Sequence, residues 1–181
     1  MLDTIEPEVL TQFQPVWSHD ELTGSDNPPP KPGARQGMTK SVYVIGSLRN
    51  PRIPTVGNKL RALGLDVFDD WHAGGPEADD EWKRYETERG RSYPEALNGE
   101  AADHVFSFDL FHLNRCDAAV LVYPAGKSAH LELGYMIGQG KPGWALLDED
   151  PDRWDVMLKF ATGVFFSEEE MLKTLKEYSN A

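Results

Sequence analysis

The chain has 181 residues, 30 acids against 18 bases, and a net charge of −12. At 40% apolar, 27% charged and 10% aromatic residues, it has the composition of one globular domain that can bury its own core. The acid excess excludes a general nucleic-acid-coating role, which needs a basic face, but not a small anionic ligand met by one local pocket. The single cysteine, Cys116, excludes an intramolecular disulfide framework and a multi-cysteine metal site, and fits a reducing cytoplasm. Residues Met1 to Glu6 show neither the basic nor the apolar stretch of a secretory signal, and no apolar run approaches the roughly 18 residues of a membrane span. No membrane partner is therefore expected.

Residues 1–40 stand apart from the rest. Pro28, Pro29 and Pro30 in succession cannot continue a helix or donate to a sheet. This stretch is read as a Pro-rich N-terminal extension, either a solvated tail or an arm anchored by Phe13, Val16 and Trp17. An α/β domain follows over 41–181. It opens with a β-branched and aromatic strand at 41–46. A helix at 54–63 ends near Gly64, and a second strand covers 66–68. An acidic, Gly-containing loop runs over 69–76. A polar helix is expected at 77–89 and a stronger one at 101–115. A strand at 118–122, a helix at 128–138 and a strand at 143–147 come next. A short helix near 153–159 and a strand at 163–166 follow, and Ser167 caps a last helix reaching about Tyr178. Short apolar strands alternating with helices predict a doubly wound, mainly parallel five-stranded sheet, Rossmann- or flavodoxin-like, with helices on both faces. Such sheets bind ligands beyond the carboxyl ends of their strands, which singles out the loops 46–51, 69–76 and 123–130.

In the first of these loops, Gly46 and Ser47 can present backbone N–H groups to an anion, and Arg49 can grip a phosphate or carboxylate. The loop is neither a Walker A loop nor a GxGxxG fingerprint, and a plain tight turn with a surface arginine fits the same residues. In the third loop Ser128 is the expected N-cap of its helix. Glu132 then falls in or just past the first turn, where the helix dipole favours an ionised carboxylate. A solvated helix-face glutamate is the plainer alternative. Helical spacing puts Asp109 on one face with Ala102, Val105, Phe106 and Leu113. A carboxylate on an apolar stripe has a raised pKa unless it is paired, and Arg115 or Lys127 would be its structural partner. The two acids are thus expected to be pushed in opposite directions, Glu132 staying anionic and Asp109 carrying a proton, the pattern of a nucleophile and an acid. His104 and His112 lie eight residues apart on one helix, but no third ligand accompanies them, so no metal site is expected.

The run Ser128 to Pro142, SAHLELGYMIGQGKP, resembles the nucleoside 2-deoxyribosyltransferase family. Glu132, Gly134, Gly140, Lys141 and Pro142 match its glutamate segment. Gly46-Ser47-Leu48-Arg49 looks like the opening of the family's nucleotide-hydrolase branch, and Phe108-Asp109-Leu110 like its Asp-Leu before the third strand. The resemblance covers roughly residues 41–147. It implies that Glu132 attacks the anomeric carbon of a deoxynucleoside or its 5′-monophosphate, and that Asp109 supports the leaving base. It also implies a substrate site including Tyr43, Gly46, Ser47, Arg49 and Ser128, with Trp71 stacking on the base or, alternatively, closing the core. It implies no metal or organic cofactor, a small-molecule nucleoside or nucleotide partner rather than a polymer, and homo-oligomers. His130, two residues before Glu132, departs from the family pattern, and is read as touching substrate or tuning Glu132. The acidic insert at 69–99 has no mapped counterpart, and is read as a lid or a solvated helix. Two other readings of the same residues are a nucleotide-sensing module without turnover and a hydrolase of another N-glycoside such as NAD.

Overall fold

The computed structural model describes residues 39–147 and 154–181. The extension at 1–38, with Phe13, Val16 and Trp17, and the expected start of the short helix at Arg153 lie outside the described residues. Five strands form one all-parallel sheet: β1 Ser41–Ile45, β2 Asp66–Phe68, β3 Ala118–Val122, β4 Gly143–Leu146 and β5 Gly163–Phe165. Their order is β2-β1-β3-β4-β5, with Tyr43 beside Phe68 on one side and Ala119 on the other. The helices are α1 Ile53–Ala62, α2 Ala78–Glu88, α3 Tyr93–Leu97, α4 Glu100–Arg115, α5 Lys127–Gly138 and α6 Glu168–Asn180. Every strand and every long helix falls within two residues of its expected place. No described helix is long and apolar enough to cross a membrane.

The period of two along each strand divides the core. Val42 and Val44 face α1 and α6 in a cluster with Ile53, Val56, Leu60, Met171 and Leu175. Tyr43 and Ile45 face α4 and α5 in a second cluster with Leu113, Leu133 and Met136. The sheet is therefore covered on both faces, and its strands read as near-continuous apolar runs for that reason. Gly143 lets α5 approach β4 closely: a Cβ there would lie 2.8 Å from Leu133 Cδ1 and 2.9 Å from Ile137 Cγ1.

Three local expectations are corrected. The acidic loop after β2 contains a 3-10 helix, Asp70–Gly74. The five-residue helix α3 was not expected, although Ser92 and Glu95 form a capping box visible in the sequence. Ser128 is not the N-cap of α5. That position is Gly126, and the helix begins at Lys127.

Candidate active site

The strand order changes direction at β1, whose neighbours β2 and β3 are reached by connections on opposite sides. Crevices of this kind hold ligands in parallel α/β sheets. Asn50, buried just after β1, draws the three strand-end loops together. Its side-chain amide donates to the carbonyl oxygens of Val122 (3.2 Å) and Pro124 (3.3 Å). Its own carbonyl accepts from His72 Nε2 at 3.1 Å. Sequence reading passed over Asn50; an Asn-Pro pair directly after a strand was the available signal.

Gly46 is required where β1 ends. A Cβ there would collide with Ile53 Cδ1 and lie 3.3 Å from the Val122 carbonyl oxygen. The loop then turns back, with the Asn50 N–H donating to the Ser47 carbonyl at 2.8 Å and the Arg49 N–H to Ser47 Oγ at 3.2 Å. Because Ser47 Oγ accepts this bond, its own proton can point to a ligand.

Two carboxylates meet on the α4–α5 side of the sheet, above β1. Asp109 lies on α4 and Glu132 on α5, and each is partly buried. The Tyr43 hydroxyl, on a side chain only 1% exposed, donates to Asp109 Oδ1 at 3.3 Å. Burial, then the charges of Asp109 and Glu132, hold the Tyr43 phenol protonated far above its ordinary range, so it remains a donor. Arg115, one of the two partners expected for Asp109, turns instead to Asp66 at 3.5 Å.

The expectation that the two acids are pushed apart is corrected. Burial raises Asp109, with the Tyr43 hydrogen bond opposing it. Glu132 is also raised, to about 7, by burial first and then by repulsion from Asp109. Glu132 is the sixth residue of α5, beyond the turn in which the helix dipole acts, so burial prevails. Tyr43 favours the Asp109 anion, and that anion raises Glu132. Both carboxyls are thus biased toward their protonated forms, and they titrate as a coupled pair.

The apolar stripe expected around Asp109 is only half buried. Leu113 is 5% exposed, but Val105 and Phe106 are 59% and 63% exposed. The first half of α4 thus offers open apolar surface on the same helical side as Asp109.

Other expected site residues are exposed or engaged by partners of their own. Trp71 packs against both core clusters, and its indole N–H donates to the Val44 carbonyl at 2.8 Å; its ring closes the end of the core. Ser128 is exposed in the first turn of α5. His130 points away from Glu132, as a two-residue offset on a helix requires. Its Nδ1 donates to the Gly126 carbonyl at 2.7 Å, so in the neutral ring Nε2 accepts from the Tyr123 hydroxyl at 2.6 Å. It borders a hollow of about 750 Å³ between α5 and the segment Asp155 to Ala161, whose lining includes neither carboxylate. Arg49 pairs with Asp80 of α2, Nη2 to Oδ2, at 2.5 Å. His112 stacks on Phe68, ring centroids 3.6 Å apart. Among the described residues no group of three His, Cys, Asp or Glu is placed to hold a metal ion.

No family model matches the chain, and no curated protein matches it in sequence. Solved structures do. A conserved protein from Enterococcus faecalis V583 superposes with a TM-score of 0.54 at 13% identity, covering 78% of this chain and 99% of its own. A 2-deoxyribosyltransferase from Bacillus psychrosaccharolyticus gives a TM-score of 0.53 at 19% identity, covering 75% of this chain and 95% of its own. A CMP N-glycosidase from Clostridium botulinum gives 0.46 at 17% identity, covering 75% and 98%. The five-stranded parallel sheet that brings Tyr43, Asp109 and Glu132 together is thus the α/β fold that the Bacillus deoxyribosyltransferase also has.

Proposed function

We propose that this chain is a nucleoside 2-deoxyribosyltransferase-like enzyme. In this reading it cleaves the N-glycosidic bond of 2′-deoxynucleosides or their 5′-monophosphates and passes the deoxyribosyl group to another base or to water. The observation that carries the reading is the convergence of Glu132, Asp109 and Tyr43 from three separate elements. A pure binding module has no use for two carboxyls that titrate as a coupled pair. The fold shared with the Bacillus enzyme supports it.

The chemistry follows from a proton held by this pair. In the resting site Glu132 holds it and cannot attack. When substrate enters, the proton passes through Asp109 to the ring nitrogen of the departing base. The C1′–N bond breaks with its electron pair on the base. Glu132, now a carboxylate, forms a C1′–O ester. A nitrogen of a second base, or water, then attacks C1′ and expels the Glu132 carboxylate, and the proton lost by that nucleophile returns to the pair. Tyr43 orients Asp109 and stabilises its anion between these transfers. Val105 and Phe106 supply apolar surface for the base, and Ser47 and Arg49 face the sugar's 5′ end. No step requires a metal or an organic cofactor. A cytoplasmic setting and self-association belong to the same proposal. Exposed Phe111 on α4 and Leu131 on α5, 63% and 76% accessible, are surfaces a second copy would cover.

The test is a panel of deoxynucleosides and their 5′-monophosphates, with and without an acceptor base, followed for free base by chromatography. Release by the native chain and its loss in Glu132→Ala is the expected result. Binding with no release from any of them would contradict the proposal.

A further inference from the structure

Arg49 is placed to meet an anion, yet a carboxylate of the same chain already sits on it. The pair Arg49–Asp80 joins the loop after β1 to the first turn of α2, at 2.5 Å. That helix belongs to the acidic insert and is closed at its other end by an ion pair to a residue just past it. Glu86, 3% exposed, pairs with Arg91 at 3.1 Å. The neighbouring acid Glu81 is taken by Arg84, so Asp80 is the carboxylate that meets the loop. Both partners are more than half exposed, 57% and 61%. Exposed pairs of this kind contribute little and exchange readily.

We propose that Asp80 determines substrate class at this site. It occupies the phosphate-facing edge of Arg49, so a deoxynucleoside with a 5′-hydroxyl enters without disturbing it, whereas a 5′-monophosphate must displace it. Asp80 is then a built-in competitor, and the resting enzyme favours nucleosides over nucleotides. This rests on the functional reading above and extends it to a residue outside the carboxylate pair. A phosphate beside an undisplaced Asp80 would face like charge, whereas a hydroxyl would not.

The experiment compares the native chain with Asp80→Asn, Arg49→Ala and the double variant. One arm measures kcat/KM for a deoxynucleoside and for its 5′-monophosphate. A second arm measures binding of 2-deoxyribose 5-phosphate and of 2-deoxyribose by calorimetry. Asp80→Asn is expected to raise kcat/KM for the monophosphate about five- to tenfold, somewhat more than the pair's own weak attraction because like-charge repulsion is also removed. The nucleoside value should stay within about twofold. Affinity for 2-deoxyribose 5-phosphate should rise in parallel, and the gain should vanish in the Arg49→Ala background. Equal changes for both substrates, or a gain that survives Arg49→Ala, would overturn the inference. If no variant releases base from either substrate, the functional reading fails. The calorimetric arm still decides on Asp80: unchanged 2-deoxyribose 5-phosphate affinity in Asp80→Asn overturns it.

Discussion

At the scale of single residues, the site turns on where one proton resides. Glu132 is raised to about 7 and must lose its proton to act. In the proposed mechanism that proton is the one handed to the departing base, so kcat/KM should fall about tenfold per unit as pH rises above about 7. A pH–rate profile checks this, and a flat profile between pH 5 and 8 would oppose it. The same shift governs stability. Glu132's pKa in the native state lies above its ordinary 4.5, so the native state binds the extra proton between 4.5 and about 7 and loses stability as pH rises through that window. Glu132→Gln removes this penalty. It should stabilise the protein on the order of 1–3 kcal/mol at pH 8 and scarcely at all at pH 4. Thermal melts at both pH values test this; an equal shift at both would argue against a buried titrating carboxyl. Tyr43→Phe deletes the hydroxyl that favours the Asp109 anion. It should cost about 1 kcal/mol of stability and raise the Asp109 pKa further, shifting the pH–rate profile without loss of fold.

At the scale of elements, α5 is the part whose placement matters most, because it carries Glu132 while resting on β4. Gly143 admits it so closely that Gly143→Ala would press a methyl group against Leu133 and Ile137. The substitution should cost about 1–3 kcal/mol in a denaturant melt and lower kcat/KM by moving Glu132; unchanged activity would show that α5 tolerates the shift. The strands and long helices were legible in the sequence because a two-sided sheet leaves continuous apolar runs and its helices leave 3.6-residue periods. Glu132 and Asp109 were legible as acids bordering apolar positions. The rise of Glu132 was not, because it comes first from burial and then from the charge of Asp109, both set only in the folded chain. Nor was the start of α5, whose N-cap Gly126 lies two residues before Ser128. His130 lies two residues before Glu132 in sequence but on a different side of the helix, bonded to Tyr123 and Gly126. Trp71 was open between stacking and core closure, and its bond to the Val44 carbonyl gives it the second role in this structure.

At the scale of the whole molecule, a net charge of −12 coexists with a site proposed to take a nucleoside or nucleotide. The two are compatible because much of the excess lies in residues 66–100, which hold 11 acids against four bases. Asp69 is held by Arg61, Glu168 by Arg52 and Lys59, and Asp80 by Arg49. Self-association is the expectation that belongs to this scale. Phe111→Glu should lower the mass observed by sedimentation if α4 forms the contact, and an unchanged mass would place the contact elsewhere. The central claim is a covalent deoxyribosyl ester on Glu132. The most direct measurement is mass spectrometry of the chain quenched in acid during turnover of a deoxynucleoside, with peptide mapping of the adduct. One added deoxyribosyl unit, mapped to Glu132, is the predicted result. An unmodified Glu132 with the adduct on another residue would contradict it.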